Sequence, residues 1–400
     1  MSLSSKPVPQ DALWNTDSPV HLQKHLFDVI VVGAGPAGST AAKAFAKKGM
    51  SVLLLDKAHF PRTKACGDAV MYPALLELAQ MGLLETMSKL FQPVTQIQLW
   101  QAQHALPPAL IQQHAQSLPS LPVGGYVAPR DQFDTLLVKQ AIASGASWQD
   151  QCTIERFLAV QQDRVLIQGR CLTRPVTLQA RLLIIADGAG SRLGRQVRQM
   201  QIEQGIHTPL LAPVLSNTRF TAIRGYITGL KKLTDTLEFY FGQHPDLFYH
   251  WVFPTETETA NVGVIATTQQ WRKLAPLLSP QQALTAFLHT PVFHERASAW
   301  QWRKPPQAAP VCSGLHGEST LYGTRTLCVG ESASLVDPQS AEGISGALVS
   351  GRIAAEIGTE ALAHDRLALS DLAPYGEAIR THYQAHYTAI LQAMQQQAIE

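Results

Sequence analysis

The chain has 400 residues, room for two or three domains of about 150 residues each. Hydrophobic residues make up 46% and charged residues 16%, the balance of a chain that buries a core, which excludes a wholly disordered or collagen-like protein. Lys and Arg number 32 against 30 Asp and Glu, and the resulting charge of +2 gives no electrostatic case for nucleic acid as a partner.

Residues 1–25 are polar and proline-bearing without an apolar centre, so they read as a flexible arm rather than a secretory signal. From Phe27 the pattern tightens. Phe27 to Val32 is a short apolar run typical of a buried parallel strand. Gly33-Ala34-Gly35-Pro36-Ala37-Gly38 follows, and Ser39 to Lys48 then places Ala41, Ala42, Phe45 and Ala46 on one helical face, with Gly49 as C-cap. Ser51 to Asp56 is the next strand, completing a unit of βαβ size. Residues 69–90 read as helix, 92–125 as sheet margin or loop, and 131–144 as helix. Arg181 to Ala186 is another buried strand, ending in Asp187-Gly188. The aromatic-rich, alternating stretch 215–305 predicts a mostly antiparallel sheet. Thr326 to Val329 is a strand entering Gly330-Glu331, and Ile344 to Leu362 a long helix. A last helix from about Pro374 carries Ile379, Tyr383, Tyr387, Ile390 and Met394 at helical steps, a stripe expected to pack on the body. No stretch reaches about 18 uninterrupted apolar residues, so no transmembrane helix is expected. A peripheral membrane contact is compatible with the chain.

The five cysteines include no C-x-x-C pair, which argues against a zinc knuckle or a disulfide framework and makes a reducing cytoplasm the simplest compartment. The i, i+4 histidine pairs His21/His25 and His382/His386 lack acidic or cysteine partners, so no metal site is expected.

The chemistry concentrates at Gly33-x-Gly35-x-x-Gly38. The first glycine permits the tight turn, the second lets a pyrophosphate approach the backbone, and the third lets helix and strand pack closely. The helix N-terminus offers free N–H groups and a positive dipole end to phosphate. Asp56 closes the second strand, where a carboxylate can hold an adenosine ribose.

Three further segments resemble the flavoprotein group that contains p-hydroxybenzoate hydroxylase, flavin-dependent halogenases and geranylgeranyl reductases, over about residues 27–360. Ala186-Asp187-Gly188 is similar to the group's Asp-Gly motif. Gly330-Glu331 with Asp337-Pro338 and Glu342-Gly343-Ile344 is similar to its Gly-Asp motif and flavin-side helix, with Glu331 standing where Asp is usual. Arg130 in Pro129-Arg130-Asp131 resembles the group's arginine near the cofactor. Phe60-Pro61-Arg62 through Cys66-Gly67-Asp68, and Tyr249-His250-Trp251-Val252-Phe253-Pro254, resemble the geranylgeranyl reductase branch, with Ile265 replacing the last glycine of a trailing Gly-x-Gly.

The resemblance implies an α/β fold: a Rossmann-type, glutathione-reductase-like, three-layer FAD-binding domain with an inserted p-hydroxybenzoate-hydroxylase-like antiparallel-sheet substrate domain. The expected division is 26–91, 126–198 and 306–365 for FAD, 92–125 and 199–305 for substrate, and 366–400 as a C-terminal helical segment. Implied cofactor contacts are Gly33, Gly35, Ala37, Gly38, Asp56, Lys57, Arg62, Gly67, Arg130, Asp187, Gly188, Gly330, Glu331, Pro338, Gly343 and Ile344. The helix N-terminus at Ile344 carries about half a positive charge and would suit the flavin N1–C2=O edge.

The implied activity is FAD-dependent reduction of C=C bonds in a prenyl or other apolar substrate, with NAD(P)H or a reduced carrier protein recharging the flavin. The alternatives are a flavin monooxygenase or halogenase, and a flavin-binding protein without turnover. Cys66, Tyr249 and Trp251 are the catalytic candidates. Tyr249 and Trp251 share one strand face and are set to line an apolar slot, while Cys66, a proton donor or a small filler beside the ring, is expected to have its thiolate favoured by Arg62 and Lys64. Asp68 reads as a cap for the following helix.

Overall fold

The computed structural model describes residues 23–206, 220–312 and 320–397, apart from 24, 103, 107–108, 111–123, 245–246, 276, 295, 297–298 and 339. All but two residues of the expected N-terminal arm, His21 included, lie outside the described residues, as do the side chains of His386, Tyr387, Ile390 and Met394.

Leu26–Val32 (β1), Pro36–Lys47 (α1) and Val52–Leu55 (β2) form the opening unit, with β1 and β2 parallel and Val29 beside Val52. Ala69–Met71 (β3), Tyr72–Gln80 (α2), Leu84–Leu90 (α3) and Gln92–Val94 (β4) follow, then Gln96–Gln101 (β5), His104–Ala105 (β6), Ala109–Leu110 (β7) and Gly125–Val127 (β8). Arg130–Ala143 (α4), Ser147–Gln149 (β9), Cys152–Val160 (β10), Val165–Cys171 (β11), Arg174–Ile185 (β12) and Arg192–Glu203 (α5) return to the first sheet. Phe220–Thr228 (β13), Thr236–Phe241 (β14), Tyr249–Glu256 (β15) and Thr259–Thr267 (β16) lead into Thr268–Leu274 (α6), Pro280–Leu288 (α7), Pro291–His294 (α8) and Gln301–Val311 (β17). Tyr322–Gly323 (β18), Thr326–Cys328 (β19), a 3₁₀ turn at Gly330–Ala333, Ile344–Ala363 (α9) and Leu369–Gln397 (α10) complete the chain.

The first sheet runs β10-β11-β12-β1-β2-β9, and the far half of β12 also pairs in parallel with β19. Its parallel centre is apolar on both faces because helices cover it: Val29 to Val31, Leu53 to Leu55 and Leu182 to Ile185 are all at most 1% exposed. Each such aliphatic side chain contributes roughly 1.5–3 kcal/mol by leaving water. The second sheet, β17-β13-β16-β15-β14-β5-β6, is antiparallel except where β14 meets β5. Its two faces build two cores. His250 and Val252 point to one, with Trp271 and Phe287 from α6 and α7, whereas Tyr249, Trp251 and Phe253 point to the other. The alternation of β15 therefore separates a packing face from a face turned toward the first sheet. A small sheet, β3-β8-β4, sits beside them.

The α/β class, with a first sheet of parallel centre covered by helices and a second, mostly antiparallel one, is as the resemblance implies. Several local expectations change. Residues 69–90 are not one helix, because Ala69–Met71 bonds antiparallel to β8 before α2 starts. Segment 92–125 supplies β5, an integral strand paired with β14, rather than a margin. The boundary at 305/306 falls inside β17, which stays bonded to β13 as far as Val311, and that at 198/199 falls inside α5. The last helix begins before Pro374, because Asp371 Oδ2 accepts the Ala368 N–H at 3.0 Å and closes its first turn. Within its stripe, Ile379 is fully buried against the core, and Tyr383 packs beside it. Cys152 and Cys171, opposite each other on β10 and β11, form a disulfide that the irregular cysteine spacing does not reveal, so the sequence ground for a reducing compartment falls away. Among the described residues no helix is long and apolar enough to cross a membrane.

Candidate functional site

A cavity of about 1440 Å³ opens between the two sheets. One end is the β1–α1 turn. Gly33 has φ +106°, and a Cβ there would lie 2.1 Å from the Ala186 carbonyl oxygen, so no other residue fits. Gly38 lies off the cavity, its α-carbon packed so that a Cβ would sit 1.8 Å from the Gly33 oxygen. Gly35 is different. It is the N-cap of α1, in ordinary extended geometry, and the atoms nearest an added Cβ are Arg62 Nη2 at 3.6 Å and Arg130 Nη2 at 4.0 Å. The turn is thus an open seat beneath two guanidinium groups.

Those two arginines share one carboxylate. Arg130 grips Asp134 with both arms, at 2.6 and 2.8 Å, and Arg62 Nη1 reaches it at 3.0 Å. Asp134 is fully buried, so it fixes both guanidiniums before any ligand arrives. Asp56 lies beside them. Its Oδ2 accepts the Ala34 N–H and its Oδ1 the Ala58 N–H, both at 2.9 Å, which holds the glycine turn and leaves further lone pairs toward the cavity. Ala37 and the exposed Lys57 line the same end.

The middle is a junction of two turns. Asp187 Oδ2 accepts N–H groups of Arg192 and Leu193 at the start of α5, and its Oδ1 accepts the Ser332 hydroxyl at 3.0 Å. Ser332 Oγ in turn accepts the Gly188 N–H at 2.8 Å, tying the Asp-Gly turn to the Gly330–Ala333 turn. Asp187, Gly188 and Glu331 face the cavity, but Gly330 and Pro338 do not. Gly330 instead packs closely against Ala37. Glu331 is already engaged: Lys64 Nζ meets its Oε2 at 2.6 Å, and the Cys312 N–H meets its Oε1 at 3.1 Å. It ties the 61–67 loop to this turn. Gly343 and Ile344 bring the start of α9 to the cavity, with Glu342 capping the Ser345 N–H.

The far end is apolar. Tyr249, Trp251, Phe253 and Ile265 line it with Phe239, Leu237 and Ile97. Two close approaches hold the rings. A Cβ at Gly263 would lie 2.1 Å from the Trp251 ring, and one at Gly67 would lie 2.8 Å from Phe253. The Tyr249 hydroxyl donates to the Ser340 carbonyl at 2.7 Å, and Trp251 Nε1 donates to Asn261 Oδ1 at 3.0 Å. Ile265 fills part of this wall beside Tyr249.

Cys66 faces the cavity from the 61–67 loop, but not as expected. Arg62 and Lys64 are paired with Asp134 and Glu331, so neither is its cation. Arg130 is, and the Asp68 N–H donates to Sγ at 3.3 Å. Burial outweighs both and pushes the thiol's pKa up, with Asp68 adding to the rise, so the resting group is the thiol. Asp68 is no helix cap either. Helix α2 starts after Met71 without it, whereas Asp68 is fully buried with φ +65°. Its Oδ2 accepts from the Tyr226 hydroxyl and from Asn261 Nδ2, the latter at 2.7 Å. Asn261 Nδ2 also donates to the Cys66 carbonyl at 2.7 Å. Burial raises the Asp68 pKa to about 6 despite Arg224 nearby.

Sequence reasoning thus missed Asp68, Asp134, Arg224, Tyr226 and Asn261 as members of the site. The i, i+4 spacing of Arg130 and Asp134 was a legible signal for one of them. Tyr226 and Asn261 are directly opposite on β13 and β16, a pairing that only the register reveals. Among the described residues no three His, Cys, Asp or Glu side chains converge as metal ligands.

The family described as FAD binding domain matches residues 27–308. Digeranylgeranylglycerophospholipid reductase 1 of Methanopyrus kandleri is 31% identical over 87% of this chain and 84% of its own. Menaquinone reductase of Mycolicibacterium smegmatis is 29% identical over 90% of this chain and 81% of its own. Among solved structures, a geranylgeranyl bacteriochlorophyll reductase-like protein from Thermoplasma acidophilum superimposes with a TM-score of 0.73 at 24% identity, covering 90% of this chain and 84% of that one. A myxobacterial chondrochloren halogenase does so with 0.72 at 20% identity, over 92% and 82%, a likeness of fold alone.

Proposed function

Because this chain belongs to the FAD binding domain family, and is a flavin-dependent oxidoreductase like its reductase relatives, we propose that it reduces C=C bonds of a prenyl chain carried on an apolar molecule. The observation that carries this reading is the two-ended cavity. An open anion seat at Gly35 under Arg62 and Arg130 faces, across one continuous space, an aromatic wall built by Tyr249, Trp251 and Phe253. At about 1440 Å³ it exceeds the roughly 300–1000 Å³ of a single small-ligand site, which suits a cofactor and a second molecule together.

The residues fit FAD. The α1 N-terminus and the two arginines would hold the pyrophosphate, Asp56 the adenosine ribose, and the Asp187–Gly188 and Glu331 turns with the α9 N-terminus the flavin half. Of the implied contacts, Gly33, Ala37, Lys57, Gly67, Gly343 and Ile344 line the space, whereas Gly38, Gly330 and Pro338 do not. Bound there, FAD would supply the hydride chemistry. The chain's own residues do the rest. Tyr249 and Trp251, pinned by Ser340 and Asn261, present flat apolar faces against which an isoprene unit lies in a fixed pose. The wall excludes water, and the Cys66 thiol, protonated at rest, holds the proton for the second carbon. NAD(P)H or a reduced carrier protein would be the electron donor, and peripheral contact with a membrane would deliver so apolar a substrate.

Anaerobic incubation of chemically reduced holoprotein with digeranylgeranyl lipids and polyprenyl quinones, read by mass spectrometry, tests the reading. A product gaining two hydrogens per double bond is expected. Unchanged lipids, together with hydroxylated or halogenated aromatic products once oxygen is admitted, would overturn it in favour of the monooxygenase or halogenase alternative.

A further inference from the structure

The cavity does not end at the aromatic wall. A second arm of it runs between three helices, lined by Pro73 and Leu76 of α2, Gly346 and Val349 of α9, and Tyr383 of α10. The arm starts where the wall stops. Met71, the last residue of β3, packs against the cluster that holds Tyr249, Trp251 and Phe253, and α2 begins at the next residue. On the other side, the Ser340 carbonyl that accepts the Tyr249 hydroxyl lies four residues before the start of α9. The segments that tether the wall therefore run directly into the walls of the arm.

The three helices are held close there. A Cβ at Gly346 would lie 2.4 Å from the Leu335 carbonyl oxygen and 2.7 Å from the Tyr383 hydroxyl, so the phenol lies against the bare backbone of α9. Across the arm, Arg352 of α9 donates to both oxygens of Glu77 of α2, at 2.8 and 3.2 Å. Glu77 also faces the arm, but its charge is thus matched within the protein rather than offered to a ligand. Leu76 and Tyr383 are half-buried, while Pro73 and His382 are exposed, so the arm reaches the surface.

We propose that this arm is the seat for the length of prenyl chain beyond the double bond being reduced, and that Leu76 is a specificity-determining residue for chain length. The proposal rests on the prenyl-reductase reading and assigns a further part of its substrate site. A prenyl tail carries several isoprene units with no polar atom along them. With one unit held at Tyr249 and Trp251, the remainder lies either in water or on an apolar surface, and burial is favoured in proportion to the apolar area removed from water. The arm supplies such a surface in the same continuous space. Because its outer end is open, a chain that outruns it protrudes instead of being shut out.

Two substitutions at half-buried Leu76 test this, with flavin content and Tm reporting that each variant folds. Leu76→Trp fills the arm, and Leu76→Asn makes it polar without filling it. With acceptors of two and four isoprene units on the same head group, the four-unit to two-unit ratio of kcat/KM should fall on the order of tenfold in both, the effect of about two methylenes returned to water. A wild-type ratio in either folded variant overturns the proposal. Independently of turnover and of any variant, a geranylgeranyl probe with a diazirine on its terminal isoprene unit is photolysed in oxidised, FAD-loaded wild-type protein. It should label α2 or the peptide containing Tyr383, and unlabelled geranylgeraniol should displace it. Label confined to other peptides, or label that is not displaced, overturns the proposal. Should the wild type reduce no prenyl acceptor while the probe still maps to the arm, the reductase reading fails and the chain seat stands; prenyl reduction with the probe mapping elsewhere removes the seat alone.

Discussion

Gly35 and Gly38 stand three residues apart in one motif, and the structure assigns them opposite sensitivities. At Gly38 a methyl group would collide with the Gly33 carbonyl oxygen, 1.8 Å away, so the helix and the turn must separate. Overpacking of this kind costs about 1–3 kcal/mol, and more where the obstacle is backbone. Gly35 has ordinary N-cap geometry, and among the described residues an added Cβ would meet nothing nearer than 3.6 Å, so Gly35→Val costs the apoprotein only about 1 kcal/mol or less, the scale of a poorer N-cap. Its methyls instead occupy the seat between the turn and the two arginines. Losing two charge-assisted hydrogen bonds to phosphate, at about 1.5–3 kcal/mol each, weakens binding by roughly 10²–10⁴-fold. Thermal melts of flavin-free protein and fluorescence titration with FAD separate the two effects. Gly35→Val should melt near wild type and bind FAD feebly, whereas Gly38→Ala should melt well below it. A Gly35→Val protein that purifies fully yellow, or that unfolds as readily as Gly38→Ala, would refute the seat.

Other outcomes follow from the buried charges. The Asp68 pKa is raised from 3.8 to about 6, so between those values the folded chain holds a proton that the unfolded chain has released, and stability falls as pH rises through the window. At 1.36 kcal/mol per pH unit that is about 3 kcal/mol, an upper figure for a fully buried group. Asp68→Asn should therefore be the more stable protein at neutral pH and lose that advantage near pH 4, which urea melts at both pH values check. Asp134→Ala leaves two guanidiniums without their shared partner. It should destabilise the apoprotein by about 3–5 kcal/mol, with FAD restoring part of the loss, measured as the rise in Tm on adding flavin. Cys66→Ala should retain FAD affinity yet lose reduction of a prenyl acceptor in the first turnover as well as in later ones, measured by single-turnover kinetics.

What could be read in the chain was local. The glycine turn, Asp56 and the Asp187–Gly188 turn are short-range devices whose chemistry is written in consecutive residues, and the structure brings them to one cavity. The strict alternation of Tyr249, His250, Trp251 and Val252 likewise announces one shared face, and the two odd positions do turn to the cavity while the even ones pack against the helices. What escaped was long-range. Asp68 looks like a cap because a helix follows it, but its partners Tyr226 and Asn261 come from strands more than 150 residues away. Arg62 and Lys64 look like neighbours of Cys66, yet each is drawn off by a carboxylate from another element, Asp134 and Glu331. The Cys152–Cys171 pair depends on the register of a hairpin, which spacing alone does not fix.

If the cavity joins a flavin seat to a prenyl slot, electrons leave the reduced cofactor for an unactivated double bond. Anaerobic stopped-flow mixing of dithionite-reduced holoprotein, freed of excess reductant, with a polyprenyl acceptor measures this directly. The oxidised-flavin absorbance should return in step with hydrogenated product, one double bond reduced for each flavin oxidised. A flavin that stays reduced with every prenyl acceptor, and reoxidises only when oxygen is admitted, would contradict it.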